Sequence, residues 1–168
     1  MIKKLVAAFF ASINLIALEL HDFHGEFVQK VGQEISYRGE IYLNREPLNI
    51  LWIYKKPILK KIYVSSGKTV VVEPRIEQVT VSKRDSGKNL IQILKNAKKI
   101  DKGIYRAHYE DTEYTIWVDK RDLPTKITFT DKFEKPVVIE FINIKPQKSD
   151  RKIFIPKYEK SFDLVEVR

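Results

Sequence analysis

The sequence contains no cysteine. This absence excludes disulfide bonds, thiolate metal sites, cysteine nucleophiles and a lipid attached to an N-terminal cysteine. Only six of the 168 residues are glycine, and they form no glycine-rich phosphate-binding loop. The serines lack the G-x-S-x-G setting of a hydrolase nucleophile. We therefore expect a binding protein without a cofactor rather than an enzyme.

Histidine is also scarce, with His21, His24 and His108 as its three occurrences. The first two lie in the segment HDFH, which has the residue types for part of a metal site. Structural metal sites normally show four clear ligands, and no cysteine or second histidine pair completes this one. We therefore expect no metal site.

Long apolar runs are missing except at the N-terminus. Lys3 and Lys4 precede an apolar run over residues 5–18, which at fourteen residues is shorter than the ~20 needed to span a bilayer. This pattern is typical of a secretory signal peptide. We predict a signal peptide over residues 1–17, cut after Ala17, and a single exported domain over residues 18–168. An uncleaved N-terminal anchor is the alternative.

The predicted mature chain is basic. Without Lys3 and Lys4 it has 29 basic and 22 acidic residues, a net charge of +7. Export and the lack of an aromatic-basic RNA motif argue against a nucleic-acid partner. Two interpretations stay open: a solvated lysine surface, or a surface that docks onto anionic lipid or an acidic protein.

Apolar and polar residues alternate along most of the chain, and turn residues separate the alternating segments. The pattern predicts a mainly β fold, an antiparallel meander of about eleven short strands curled into a sandwich or barrel. The predicted strands cover residues 23–31, 35–43, 48–54, 60–65, 68–73, 77–82, 103–109, 113–119, 124–130, 137–144 and 162–167.

One segment, DSGKNLIQILKNAKK over residues 85–99, has helical spacing of its apolar residues instead. Asp85 or Ser86 can cap its start. We expect its apolar stripe to cover an open end of the sheet. The stripe consists of Leu90, Ile91, Ile93, Leu94 and Ala97.

Several motifs together resemble a known family. They are EFVQKV at 26–31, NREPLNILWIYKKP at 44–57, SSGKTVVVEPRIEQVTV at 65–81, LPTKITFTDKFEKPVVIEFINI at 123–144, and the closing IFIPKYEKSFDLV. Their order and spacing resemble the periplasmic outer-membrane lipoprotein carrier proteins (LolA) over roughly residues 23–167.

The resemblance implies an open, incomplete antiparallel β-barrel with a helical lid. The cavity under the lid would receive the acyl chains of a lipoprotein from an inner-membrane lipoprotein-releasing transporter. A monomeric periplasmic chaperone would then deliver them to an outer-membrane receptor or to the outer-membrane surface. A carrier of this kind is needed because a sixteen-carbon chain left in water is unfavourable by about 12 kcal/mol.

The resemblance and the alternation together predict a lining that binds lipid. Trp52 is the most specific single prediction for this lining. The competing interpretation is plain core packing, since inward apolar residues of a small barrel usually serve that purpose. The predicted lining consists of Ile41, Leu43, Ile50, Trp52, Tyr54, Leu90, Ile93, Leu94, Ile127, Phe129, Ile139 and Phe141.

Arg45 is the next residue on the strand face that carries Ile41 and Leu43. The resemblance implies that it is a lid latch on the inner face, where a guanidinium suits the orphan carbonyls of a helix end. Alternatively, the strand ends at Leu43 and Arg45 is a solvated turn residue. Glu46, which separates Arg45 from Pro47, would pair with Arg45 or shift the register.

Two other functions remain open. One is a different exported lipid binder on a similar half-barrel, such as a lipoprotein receptor or a sensor of mislocalised lipoproteins. The other is a periplasmic hydrolase or adaptor with a filled barrel, which would show a polar cleft with carboxylates of perturbed pKa.

Overall fold

The computed structural model of the protein describes residues 16–33, 35–83 and 90–167. In these ranges it has one α-helix, α1 (Leu90–Lys95), and two short 3₁₀ turns, Pro74–Ile76 and Arg151–Phe154. The strands are β1 (Phe23–Val31), β2 (Ile35–Asn44), β3 (Asn49–Lys56), β4 (Lys60–Ser65), β5 (Lys68–Glu73), β6 (Gln78–Ser82), β7 (Lys98–Asp101), β8 (Ile104–Tyr109), β9 (Thr112–Val118), β10 (Pro124–Thr130), β11 (Pro136–Lys145) and β12 (Asp163–Val167).

All twelve strands join one sheet in the order β12-β6-β5-β4-β3-β2-β1-β11-β10-β9-β8-β7. Neighbours are antiparallel except for β12, which lies parallel to β6. The sheet does not close, because β12 and β7 stand at its two ends. The predicted mainly β, open architecture with little helix is therefore confirmed.

The end of the predicted helix is where sequence and structure differ. Helix α1 ends at Lys95, whereas the helical spacing predicts a helix within residues 85–99. Residues 98–101 form β7 instead, a strand absent from the eleven predicted, because Lys98 pairs with Arg106 of β8. Every residue of β7 is exposed, so no alternation marked it. The predicted capping residues Asp85 and Ser86 lie outside the described residues.

Residues 16–18 pair with the edge of β7 that faces away from β8. The Lys99 N–H donates to the Ile16 carbonyl at 3.0 Å, and the Leu18 N–H donates to the Ala97 carbonyl at 3.2 Å. Leu18 is buried by this arrangement.

Residues 1–15 lie outside the described part of the chain, and the signal peptide stays a prediction. Among the described helices, none has the length and apolar character to cross a bilayer.

Strand β3 shows why the molecule has two cores. Its sequence NILWIY is apolar on both faces, and alternate residues face opposite sides of the sheet. Ile50 pairs with Val64 on the face that carries the larger cluster, here named the concave face, and Leu51 pairs with Tyr63 on the opposite face, here named the convex face. Leu51 and Tyr63 belong to a second buried cluster, separate from the larger one that contains Ile50.

The C-terminal segment covers the second cluster. It leaves β11 and places Ile153, Phe154 and Phe162 against the convex face of the sheet before β12 begins. The buried side chain of Asn44 holds the start of this segment. Its Nδ2 donates to the Ser149 carbonyl at 2.8 Å, and its Oδ1 accepts from the Ser149 N–H at 2.9 Å. Asn44 therefore acts as a clamp between β2 and the C-terminal segment.

We predict that Asn44→Ala lowers the free energy of unfolding by about 1–3 kcal/mol, because it leaves two backbone groups of Ser149 without their partner. Residues 146–167 should also become sensitive to protease before the rest of the sheet does. Urea unfolding followed by tryptophan fluorescence measures the first effect, and limited proteolysis with mass spectrometry measures the second.

Asn49→Ala is the matched control, because the Asn49 side chain, at the start of β3, donates to the carbonyl of nearby Pro47 at 3.2 Å in an exposed hydrogen bond. Its unfolding free energy should change by less than about 0.5 kcal/mol. Equal stability losses in the two variants would show that Asn44 is not a clamp.

Candidate functional site

The structure brings the twelve predicted lining residues together in one apolar cluster, nine from strands on the concave face of the sheet and three, Leu90, Ile93 and Leu94, from α1. Ten of them are buried in the larger cluster, and Tyr54 and Phe129 are partly buried against it. The ten buried side chains expose at most 8% of their surface. The concave face is therefore a packed apolar surface, and a ligand must displace some of its own contacts to enter.

Strand pairing places the nine strand residues on one face from two distant parts of the chain. On one side of β1, Ile41 of β2 pairs with Trp52 of β3. On the other side, Ile127 of β10 pairs with Ile139 of β11. Because the side-chain period of a strand is two, each register sets every second residue on the same face.

Trp52 lies where the two parts meet. The ring of Phe27, from β1, stands edge-on to Trp52 with centroids 4.9 Å apart. The ring of Phe141, from β11 on the other side of β1, has its centroid 6.2 Å from that of Trp52. Aromatic pairs at such separations add to the free energy gained by burying their area. Phe27 was missed by the sequence analysis as a lining residue, although its alternation with polar neighbours was visible.

The Phe27 ring occupies space that is free because Gly39 has no side chain. A Cβ at Gly39 would lie 2.9 Å from the Cε1 atom of Phe27 and 1.9 Å from the carbonyl oxygen of Ile53. Any side chain here would therefore displace both the ring and the neighbouring strand. The register of β2 against β3 shifts at this point, between Arg38 and Gly39.

Helix α1 is the part of the predicted lid that the structure describes. Four of its six residues, namely Leu90, Ile91, Ile93 and Leu94, are buried. They join the same cluster as Tyr105 and Ala107 of β8 and as Leu18 near the N-terminus. Apolar side chains of α1 thus pack into the same cluster as the sheet.

A small polar group interrupts the apolar face near the end of β3. The Tyr54 hydroxyl donates to Oε1 of Gln29 at 2.8 Å. The ring of Tyr37 stands edge-on to Tyr54 at 5.9 Å, and the Lys60 ammonium lies 5.0 Å from the Tyr54 ring centroid. Burial, and secondarily the neighbouring Tyr37, raises the pKa of Tyr54 above its ordinary value, so that it stays protonated. Gln29 was missed by the sequence analysis, although it follows Phe27 by two residues and so shares its face.

Arg45 lies in the turn between β2 and β3, and its side chain is half exposed. Its Nε lies 3.6 Å from Oε1 of Glu46, and its backbone N–H donates to Oδ1 of Asp22 at 2.5 Å. Arg45 is therefore a turn residue exposed to solvent, as the alternative interpretation of the sequence expected. Its contact with Glu46 is the pairing that the sequence also suggested. The latch role itself stays a prediction.

The opposite face carries a surface groove of about 500 Å³ across β9, β10 and β11. Trp117, Lys126, Glu140 and Ile142 line it. The Lys126 ammonium sits 4.0 Å from the ring centroid of Trp117. The two tryptophans of the chain therefore lie on opposite faces of the sheet.

Solved structures with a similar fold have very different sequences. An uncharacterized conserved protein from Thermus thermophilus superposes with a TM-score of 0.60 at 11% identity, covering 88% of this chain and 91% of that one. The MucA/MucB complex of Pseudomonas aeruginosa contains a chain that superposes with a TM-score of 0.50 at 10% identity. That match covers 82% of this chain and 56% of the other. These likenesses support the fold alone.

Sequence comparison is more specific. The family model described as "Outer membrane lipoprotein carrier protein LolA" matches residues 19–157. The chain is 36% identical over 139 residues to an outer-membrane lipoprotein carrier protein of Wolinella succinogenes, covering 80% of each chain. It is 34% identical over 170 residues to the carrier protein so named in Campylobacter jejuni, covering 97% of this chain and 99% of the relative. The chain belongs to the LolA family of outer-membrane lipoprotein carrier proteins.

Proposed function

We propose that this protein is a periplasmic chaperone that carries lipoproteins from the inner to the outer membrane without catalysing a reaction. Its acyl-chain site is the concave face under α1. The observation that carries this proposal is the convergence of twelve lining residues from β2, β3, β10, β11 and α1 in one apolar cluster. The protein would act as a monomer between an inner-membrane lipoprotein-releasing transporter and an outer-membrane receptor or the outer-membrane surface.

The energetics of the lid suit a carrier. Burying each of the four apolar side chains of α1 contributes about 1.5–3 kcal/mol, or roughly 6–12 kcal/mol together. Burying one sixteen-carbon acyl chain contributes about 12 kcal/mol. Replacing the lid by one acyl chain thus exchanges apolar contacts of similar total strength. A ligand with two chains would gain more than the lid loses, and the return of the lid would offset part of that gain on release.

The two tryptophans supply a test of the acyl-chain site. A diacylated lipopeptide with brominated acyl chains should quench the fluorescence of Trp52 on the concave face, because bromine quenches tryptophan on contact. It should leave Trp117 on the convex face largely unquenched. The variants Trp117→Phe and Trp52→Phe isolate the two signals, and each is the control for the other. Quenching of Trp117 alone, or of neither residue, would contradict the proposed site.

We further propose the latch role for Arg45. Arg45→Leu should then load lipoprotein normally but release it poorly, since losing one to three charge-assisted hydrogen bonds shifts the opening equilibrium ten-fold or more. Arg45→Lys should be intermediate, because an ammonium lacks the planar fork. Loading and transfer are measured separately on the purified variants.

Glu46→Gln is the matched control, because it removes the ion pair that Arg45 makes in the turn. An exposed pair of this kind contributes under about 1 kcal/mol, so transfer should stay near normal. Normal transfer by Arg45→Leu would refute the latch and leave Arg45 as a solvated turn residue.

The basic surface is proposed to dock the protein at membranes or partners rather than to hold acyl chains. Transfer between inner- and outer-membrane vesicles should weaken as salt rises from about 0.05 to 0.5 M, because the ions screen exposed charges. Displacement of an apolar dye from the concave face should hardly change over the same range. Equal salt dependence in the two assays would contradict this division of roles.

A further inference from the structure

Four side chains form a polar corner beside the apolar cluster of the concave face: Gln29, Tyr37, Tyr54 and Lys60. Strand pairing sets Gln29 opposite Tyr37 and Tyr54 opposite Lys60. Phe27 packs against the inner side of the corner, with its ring 5.0 Å from that of Tyr54. The corner is thus attached directly to the aromatic part of the proposed acyl-chain site.

The hydrogen bond from Tyr54 determines what Gln29 presents. Since the Gln29 Oε1 atom accepts from the Tyr54 hydroxyl at 2.8 Å, the amide nitrogen Nε2 is left to donate. Among the described residues, Nε2 has no hydrogen-bond partner, and Gln29 is only half-buried. The corner therefore offers two oriented N–H donors at the border of an apolar surface. The positive charge of Lys60 lies over the ring of Tyr54, 5.0 Å from its centroid.

We propose that this polar corner binds the ester carbonyl groups at the heads of the acyl chains, with Nε2 of Gln29 as the donor. The inference rests on the proposed function and adds the orientation of the ligand to it. The chains would run from the corner past Phe27 and Trp52 along the apolar face. An ester carbonyl that enters an apolar site without a hydrogen-bond donor is penalised, and Gln29 removes that penalty. Tyr54 is a positioning residue, because it acts by orienting the amide.

The experiment compares two ligands that differ only in the carbonyl groups. One is a lipopeptide whose glyceryl-cysteine carries two ester-linked palmitoyl chains, and the other is its ether-linked analogue with chains of equal length. Their dissociation constants are measured by competition with a fluorescent apolar dye. The unmodified protein should bind the ester ligand about three- to ten-fold more tightly, which is the range for one hydrogen bond.

The variants then locate the source of the preference. Gln29→Leu and Gln29→Glu should both lose it, because neither side chain donates to a carbonyl at neutral pH. Tyr54→Phe should keep a reduced preference, since the amide remains but is no longer oriented. Ile127→Val is the matched control: it removes one methylene from the apolar face, so that both ligands weaken alike and their ratio is unchanged.

A role limited to packing would lower the stability of the Gln29 variants without changing the ratio of the two affinities. Equal binding of ester and ether ligands by the unmodified protein, or an unchanged preference in either folded Gln29 variant, would overturn the inference while leaving the carrier proposal standing. Failure of the unmodified protein to bind either ligand would instead overturn the carrier proposal.

Discussion

The packing of Phe27 across the middle of the sheet is the contact on which the concave face depends. Its strand, β1, is hydrogen-bonded to β2 on one side and to β11 on the other. The ring reaches Trp52 on the first side, in the space that Gly39 leaves free. Phe141, opposite Phe27 on β11, continues the same apolar surface on the second side. Two halves of the chain that are far apart in sequence thereby share one apolar face.

The two faces of the sheet are covered in different ways, and this difference suits a carrier. The convex cluster is covered by the C-terminal segment, which Asn44 holds through two hydrogen bonds to the backbone of Ser149. The concave cluster contains four apolar side chains of the six-residue helix α1. Apolar contacts are non-directional, whereas hydrogen bonds fix the geometry of their partners. Under the proposed function, an acyl chain would take the place of these apolar contacts.

Much of the candidate site was predictable because strand alternation and face are the same property. Once Ile41 and Trp52 are placed in strands, their side of the sheet follows from the period of two. Gln29 could have been found by the same rule, as it follows Phe27 by two residues. Arg45 could not be placed by that rule. The end of β2 depends on its pairing with β3. This pairing reaches no further than Asn44 and Asn49, so Arg45 falls in the turn.

The sequence by itself determined the mainly β class, the strand segments and the apolar face, because each follows from residue order within a few positions. Only the tertiary structure decided β7, the parallel position of β12 and the separation of two apolar clusters. These depend on pairing with other strands of the fold rather than on local pattern: β7 on Arg106 of β8, and β12 on β6. A strand such as β3, apolar on both sides, shows that two surfaces are covered. It cannot show that one is covered by a helix and the other by the C-terminal segment, because local patterns do not carry long-range contacts.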